Sequence, residues 1–209
     1  MSAKTYKMSF TSGGLFFNES IPVAELYNTT HDRRGHCWQQ TRDKVLSENL
    51  LQARTESSAK RRIIEISSRL QLLTDLQLQL LISGARQEQQ YLLWVAVCKC
   101  YSFIKEFMVE VVREKYLRMD LSLQPQDYEI FFDDKAEWHE ELDQLKPSTQ
   151  TRLRQALFQT MREAEIISPE NMIIPGLLTE QLTKVIAMDD PSLLAVFPVS
   201  DMDINSWLS

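Results

Sequence analysis

The run RQEQQYLLWVAVCKCYSFIKEFMVEVVREKYLRM, residues 86–119, decides the fold class, because it contains neither glycine nor proline. Apolar residues occupy nearly every side of its first half, and a helix that is apolar all round is buried. The second half is one-sided, and Glu106, Glu110 and Arg113 are among the positions expected to be exposed. The sequence therefore predicts a helix at the centre of a bundle, with one break near Tyr101.

The rest of the chain also favours an all-α fold. Only 5 Gly and 7 Pro occur in 209 residues, so few positions favour tight turns. A third helix is predicted before the central one, because five apolar residues recur at helical spacing and form one stripe. They are Ala59, Ile63, Ile66, Leu70 and Leu73. Ser57 or Ser58 is expected to cap this helix with its hydroxyl group.

A small winged-helix-like subdomain is predicted near the C-terminus. A helix with Ser148 as its expected cap is followed by a turn at residues 168–171 and an apolar triplet at residues 172–174. A helix, a turn and a short strand in this order are typical of part of a winged helix-turn-helix domain.

The Gln-Pro pair at residues 124–125 marks a domain boundary, because the residue before proline disfavours a helix. The charge of the chain also changes near this point. We predict an N-terminal helical bundle over residues 1–120 and an acidic helical subdomain over residues 121–209. The net charge of -6 is uneven. Residues 1–119 carry 17 Lys+Arg against 12 Asp+Glu, whereas residues 120–209 carry 6 against 17. Two halves of opposite charge can bind different partners.

A basic cluster surrounds the predicted start of the third helix, in the stretch RTESSAKRR at residues 54–62. Its last three cations are expected in the first turn, where the helix macrodipole is already positive and disfavours them. A docked phosphate would offset that cost, because free backbone N–H groups and serine hydroxyls suit an anion. The expected nucleic-acid-binding residues are Arg33, Arg34, Arg54, Ser57, Ser58, Lys60, Arg61, Arg62 and Arg69.

Three interpretations of this cluster stay open on the residues alone. It could bind a phosphate backbone, or an acidic protein surface such as that of a neighbouring subunit. It could also simply solvate the bundle, with Arg61 paired to Glu65 four residues on. The same alternatives apply to a second basic spot, formed by Arg152 and Arg154 with Arg162 eight residues further on.

Patterns for catalysis or metal binding are missing from the sequence. Cys98 and Cys100 are two residues apart and would point in nearly opposite directions on a helix. The three histidines, His31, His36 and His139, have no partner at helical spacing, and no Walker loop or nucleophile-elbow motif occurs. We expect no metal, no cofactor and no catalytic residues, with the carboxylates near Asp133-Asp134 forming a solvated face.

Targeting signals are absent in the same way. The N-terminus lacks an apolar core followed by small residues. The longest dense apolar run, YLLWVAVC at residues 91–98, is far shorter than the roughly 20 residues needed to cross a bilayer. Three cysteines, an odd number, are typical of free thiols in a reducing compartment. We therefore expect a cytoplasmic protein without a membrane-spanning segment.

Seven segments spread from Ser9 to Asp203 match one known family. They are SFTSGGLFFNES, ENLLQARTESSAKRR, RQEQQYLLWVAVCKCYSFIKEF, VREKYLRMD, DYEIFFDDKAEWHEEL, STQTRLRQALFQTMREA and LLAVFPVSDMD. Together they resemble the BrxA family of bacteriophage-exclusion (BREX) phage-defence systems. The resemblance covers almost the whole chain, and its segments occur in order.

The resemblance implies a small, non-enzymatic helical protein that is encoded beside a DNA methyltransferase, a phosphatase-like protein and ATPases. It implies an accessory role in phage restriction and host-DNA modification, with duplex DNA as a partner. The matched segments ARTESSAKRR and STQTRLRQ are those onto which DNA binding is carried. The family has no catalytic motif to transfer.

Two functions follow from these observations. In the first, the chain binds duplex DNA independently of sequence through the basic cluster, and its acidic half contacts other BREX proteins such as the methyltransferase. In the second, the chain is a protein–protein scaffold for the methyltransferase complex and does not touch DNA. Neither function requires a membrane or a small-molecule substrate.

Overall fold

The structure, a computed structural model, describes residues 5–10, 14–30 and 38–208. Helices dominate these residues, and they contain no β-strand, so the predicted all-α class is confirmed. In chain order the helices are α1 (Phe17–Thr30), α2 (Trp38–Ser47), α3 (Glu56–Leu70), α4 (Asp75–Ser83), α5 (Arg86–Cys100), α6 (Ser102–Phe107), a π-helix (Met108–Arg113), α7 (Glu114–Leu117), α8 (Pro125–Ala136), α9 (Glu140–Asp143), α10 (Pro147–Glu163), α11 (Glu180–Ala187), a 3-10 helix (Pro191–Val196) and α12 (Asp201–Leu208).

The packing of the backbone divides the chain into two compact units. Residues Phe16–Ala96 form one, here the continuous unit, and Met1–Leu15 together with Val97–Ser209 form the other, here the split unit. The boundary between them falls inside α5. This grouping differs from the sequence-based boundary at residue 120, which stays a prediction about separable domains.

In the continuous unit, α1 packs against α2, α3 and α4. All five positions of the predicted apolar stripe of α3 are buried, so that prediction is confirmed. Burying a side chain such as Ile63 contributes about 2 kcal/mol. The rings of Tyr27 and Trp38 stack with their centroids 3.9 Å apart. This packing fixes which side of α3 faces solvent.

Helix α5 is buried as its sequence predicted. Leu92, Trp94, Val95 and Ala96 are all 0% exposed. The predicted break is also present: Tyr101 has extended backbone angles, φ -127° and ψ 93°, and α6 starts at the next residue.

An aromatic cluster forms much of the core of the split unit. Phe103 is 0% exposed, and its ring contacts those of Phe131, at a centroid distance of 5.1 Å, and Phe132, at 6.0 Å. Phe107 contacts Phe131 in the same edge-to-face manner, at 5.3 Å. Edge-to-face ring pairs are favourable beyond the area they bury. The inner side of α8 is therefore held tightly against the α6 segment.

The N-terminal arm, residues 5–10 and 14–15, is attached to the split unit by backbone hydrogen bonds to carboxylates. Tyr6 N donates to Glu141 Oε1 at 2.6 Å, and Leu15 N donates to Glu163 Oε2 at 2.5 Å. Gly14 permits the second bond, because a β-carbon there would overlap the Glu163 carboxylate. Burial, followed by a hydrogen bond to Glu106, raises the pKa of Tyr6.

The winged-helix-like subdomain is not confirmed. After α10 the described chain forms only two isolated antiparallel bridges, Ser122 with Met172 and Ile167 with Ile173, instead of a strand. The prediction that Ser148 caps this helix is also wrong, since α10 starts at Pro147 and has no side-chain cap. Proline is favoured at a first helical position because its missing N–H is not needed there.

The C-terminal residues form α12, although their sequence carries no strong order signals. None of the residues of α12 is buried. The helix is tied to the unit by Arg113, whose Nη2 donates to Asp201 Oδ1 at 2.6 Å and whose Nε donates to the Val199 carbonyl at 3.1 Å.

Candidate nucleic-acid interface

The predicted basic cluster lies at the start of α3, but the helix begins earlier than expected, so its last three cations fall one turn further into the helix. Thr55, and neither of the predicted serines, is the N-cap, and its Oγ1 accepts from Ser58 N at 3.2 Å. The helix therefore starts at Glu56, and Lys60, Arg61 and Arg62 lie in its second turn. Because the dipole effect fades beyond the first turn, these cations do not oppose it as the sequence suggested.

The two serines lie in the first turn and interact within the cap. Ser58 Oγ donates to the Thr55 carbonyl at 2.8 Å, and Ser57 Oγ lies 3.3 Å from Thr55 Oγ1. Ser57 is exposed and Ser58 is half-buried. Their hydroxyls can still accept or donate to a ligand at the surface, because these local bonds use only part of their capacity.

Two of the exposed α3 cations have acidic partners. Lys60 Nζ lies 2.6 Å from Glu56 Oε1, and Arg62 Nη1 lies 3.5 Å from Glu19 Oε1 of α1. A hydrogen bond from Lys60 lowers the pKa of Glu56. Both pairs are at the surface, where ion pairs are worth little and exchange readily. The cations remain accessible, but each carries a neighbouring negative charge.

Arg54 and Arg61 are exposed, and neither has an ion pair within the part of the chain that the structure describes. The alternative pairing of Arg61 with Glu65 does not form, because Glu65 pairs with Arg69. These two guanidinium groups are thus the least neutralised cations of the cluster. Arg33 and Arg34 lie outside the described residues.

Arg69 does not belong to the exposed cluster. Its side chain is only 6% exposed, and its Nη2 lies 2.8 Å from Glu65 Oε1. Its guanidinium group also lies over the Phe16 ring, 5.3 Å from the centroid. Arg69 lies seven residues after Arg62, a spacing that predicts the same flank of the helix, but in the structure this position faces Phe16, the residue before α1, and is buried.

The second basic spot, on α10, has two of its three arginines bound within the protein, one of them to a carboxylate. Arg154 pairs with Glu129 of α8. Arg162 donates through Nη2 to Asn171 Oδ1 at 2.7 Å. Arg152 is exposed and forms no ion pair among the residues described.

The charge of the two units differs from the charge of the two sequence halves. The continuous unit, which carries α3, has 10 Lys+Arg against 9 Asp+Glu, and the split unit has 13 against 20. The positive excess of residues 1–119 is therefore not concentrated around α3. Any attraction of phosphates to α3 must come from the local placement of its cations.

The described residues offer little for other chemistry. Across residues 5–10, 14–30 and 38–208, no three His, Cys, Asp or Glu side chains are grouped to hold a metal. Burial raises the pKa of the Cys98 thiol. Cys100 Sγ accepts a hydrogen bond from Lys7 Nζ at 3.2 Å. His31 and His36 lie outside the described residues.

None of the described helices combines the length and the apolar character that a bilayer span requires.

Comparisons with known proteins identify the family. The model of the BrxA family matches residues 4–190. The BREX protein BrxA of Bacillus cereus (strain H3081.97) is 27% identical over 161 residues, which are 77% of this chain and 78% of that protein. The BREX protein BrxA of Escherichia coli O9:H4 (strain HS) is 28% identical over 152 residues, 73% of this chain and 69% of that protein.

A solved structure supports the fold independently. The crystal structure of an uncharacterized protein from Magnetospirillum magneticum superposes with a TM-score of 0.77, over 92% of this chain and 98% of that chain. At 18% identity, this likeness shows a shared fold only. Because the family model matches most of its length, the chain belongs to the BrxA family of BREX phage-defence systems.

Proposed function

We propose that the chain is a non-enzymatic accessory component of a BREX system that binds the phosphate backbone of duplex DNA through the start of α3. Its acidic C-terminal half contacts other BREX proteins. No cofactor or small-molecule substrate takes part, and we expect it to act in the cytoplasm.

The observation that carries the proposal is the exposure of Arg54 and Arg61 without an ion pair among the described residues. Lys60 and Arg62 flank Arg61 and have only surface partners. The hydroxyls of the first turn lie between Arg54 and Lys60. Arginine forks, a lysine and serine hydroxyls are groups that commonly contact DNA phosphates, and such contacts carry no sequence information by themselves.

The salt dependence of DNA binding tests the proposal. Each phosphate contact releases counterions, so log affinity falls by about 0.9 per contact for each unit of log salt. Four cations at the start of α3 predict a slope of about -3.6. The experiment is a gel-shift series with unrelated duplexes of equal length across roughly 50 to 200 mM salt. An affinity that does not change over this range contradicts the proposal.

The scaffold function is the second candidate, and the charge of the split unit favours it. That unit carries 13 Lys+Arg against 20 Asp+Glu, which suits a basic protein partner better than DNA. If the chain is only a scaffold, replacing Lys60, Arg61 and Arg62 by Ala disrupts co-purification with the methyltransferase. In that case DNA binding is undetectable for the unmodified chain as well.

A further inference from the structure

Two large apolar side chains are exposed along one side of α8. Ile130 is 63% exposed and Trp138 is 79% exposed. Although α8 ends at Ala136, Trp138 N donates to the Lys135 carbonyl at 3.2 Å, so the helical turn continues through Trp138. Ile130, Asp134 and Trp138 follow one another at intervals of four and share one side of the helix. We call these three residues the α8 stripe.

A groove runs beside Ile130, between α8 and the helical segment that precedes it. It has a volume of about 260 Å³. The apolar groups in its lining are Val111, Ile130 and Phe131. The remaining lining residues are charged: Glu110, Glu114, Lys115, Arg118, Asp127 and Asp134. The groove therefore combines an apolar strip with a rim of carboxylates.

The cations of the groove are already paired with its acids. Lys115 Nζ lies 3.3 Å from Asp127 Oδ2, and Arg118 Nη2 lies 3.4 Å from Glu114 Oε2. Three carboxylates along and beside the α8 stripe have no ion pair among the described residues. They are Asp134, Glu137 and Glu140. The surface around the exposed isoleucine and tryptophan is therefore negative.

We propose that the α8 stripe and its groove form the docking site for an amphipathic helix of a partner protein, with aliphatic residues on one side and Lys or Arg along its edges. This inference rests on the proposed contact with other BREX proteins and assigns that contact to particular residues. Apolar anchors in a groove with opposite charges at the rim are the usual basis of helix-in-groove recognition. Tryptophan is also enriched among the residues that dominate binding energy.

The charge of the site argues for this occupant over DNA, because phosphates would approach three unpaired carboxylates and be repelled. The length of the site also fits a helix. Trp138 follows Ile130 by eight positions, and at a rise of about 1.5 Å per residue the stripe is about 12 Å long. A partner helix of about two turns covers it.

Two synthetic peptides of about 18 residues test the proposal. Both place leucines on the same helical side, and the polar positions are Lys in one and Glu in the other. Fluorescence anisotropy of each labelled peptide is measured while the full chain is added. We expect the Leu/Lys peptide to bind and the Leu/Glu peptide to bind at least tenfold more weakly. Equal binding of the two peptides contradicts the proposal.

Substitutions in the site and at a matched position localise the binding. Ile130→Ser with Trp138→Ser is expected to weaken the Leu/Lys peptide at least tenfold, because both anchors are lost. Met188→Ser changes a side chain that is 66% exposed outside the site, and is expected to have no effect. Asp134→Lys with Glu137→Lys is expected to reverse the preference towards the Leu/Glu peptide. Unchanged binding in the site variants contradicts the proposal.

A second copy of the chain is the competing occupant. Light scattering after size-exclusion chromatography decides between them. A dimer that Ile130→Ser with Trp138→Ser converts to a monomer shows that the groove binds another copy of this chain, which also overturns the proposal.

The same samples separate this inference from the DNA-binding proposal. DNA binding of the variants is measured by gel shift, and we expect it to be unchanged. If the unmodified chain binds the Leu/Lys peptide and no DNA, the DNA proposal fails and the docking site stands. If it binds DNA and the site variants bind the peptide normally, the docking site fails alone.

Discussion

The basic stretch at the start of α3 and the basic spot on α10 both contain arginines, but their cations differ in how they are paired. At α3, Arg54 and Arg61 have no ion pair within the described chain, and the acids that pair with their neighbours are the exposed Glu56 and the half-buried Glu19. At α10, Arg154 pairs with Glu129, and Arg162 is bound to Asn171. Two of the three α10 arginines are engaged within the protein, and only Arg152 is exposed without an ion pair among the described residues.

The difference comes from what packs beside each helix. The first turns of α3 are neighboured by α1, which supplies a single carboxylate, Glu19, to this cluster. The first turns of α10 lie beside the acid-rich helix α8. A basic motif in a sequence therefore indicates a binding site only if the neighbouring elements leave its charges unsatisfied, and neighbours in space cannot be read from spacing along the chain.

The largest expected effect concerns an arginine of α3 that is not at the surface. Arg69→Ala removes a mostly buried ion pair with Glu65 and the contact of the guanidinium group with the Phe16 ring, which is expected to destabilise the chain by about 3 kcal/mol. Arg61→Ala, on the exposed side of the same helix, is expected to change stability by less than about 0.5 kcal/mol. Urea denaturation followed by circular dichroism measures both. Equal effects of the two substitutions contradict the assignment of Arg69 to the interior.

The next effect compares the two helix starts directly. Replacing Lys60, Arg61 and Arg62 by Ala is expected to weaken binding to every duplex at least tenfold at low salt, and to reduce the salt slope by about 2.7. The measurement is a gel shift at several salt concentrations with two unrelated sequences. A loss confined to one sequence indicates base reading and contradicts the proposed backbone contact.

The corresponding change in α10 is expected to be smaller. Arg152→Ala with Arg154→Ala removes one exposed cation and one that Glu129 already neutralises. We expect at most about a threefold loss of affinity, since rim charges beside carboxylates attract phosphates weakly. The same gel shift is used. A loss as large as that of the α3 variant shows that the arginines of α10 bind DNA as strongly as the cations of α3, which contradicts the expected difference between the two helices.

The smallest effect sharpens the comparison by removing an acid from α3. Glu56→Gln frees Lys60 and is expected to tighten DNA binding about twofold at neutral pH. The lowered pKa of Glu56 means that this carboxylate stabilises the fold above the ordinary glutamate pKa of about 4.3, and that this contribution is lost as pH falls through the lowered value. The melting temperatures of the two proteins are therefore expected to differ near pH 7 and to converge below about pH 4.

Regular features of the fold were predictable from sequence, because periodicity and uniform burial leave direct signatures. Three such predictions are confirmed: the apolar stripe of α3, the burial of α5 on all its sides, and the break at Tyr101. The first turn of α3 was misassigned because Thr55, Ser57 and Ser58 are all residue types that cap helices well. Their sequence alone does not show which of them precedes the first helical residue. Helix α12 was not predictable from its own residues, because the contact that ties it to Arg113 joins residues far apart in the chain.

The site was predictable only in part. Arg54 and Arg61 are exposed, but Arg69 was grouped with them because it lies one heptad after Arg62, a spacing that indicates the same flank of a helix. In the structure its guanidinium group lies over the ring of Phe16, the residue before α1, and no local sequence pattern shows this contact. On α8, the acids suggested a plain solvated face. The exposure of Ile130 and Trp138 depends on α8 presenting its other side to the aromatic core.

The split unit has a consequence for how the protein is made on the ribosome. Its first segment is synthesised before the continuous unit, but Glu141 and Glu163, which hold the N-terminal arm, follow Tyr6 and Leu15 by 135 and 148 residues. The continuous unit can fold as soon as it emerges, since domains generally fold as units during synthesis. The end of the arm at Leu15 must wait for Glu163 near the C-terminus of α10, so this hydrogen bond forms late, and a nascent chain that stalls before α10 lacks it.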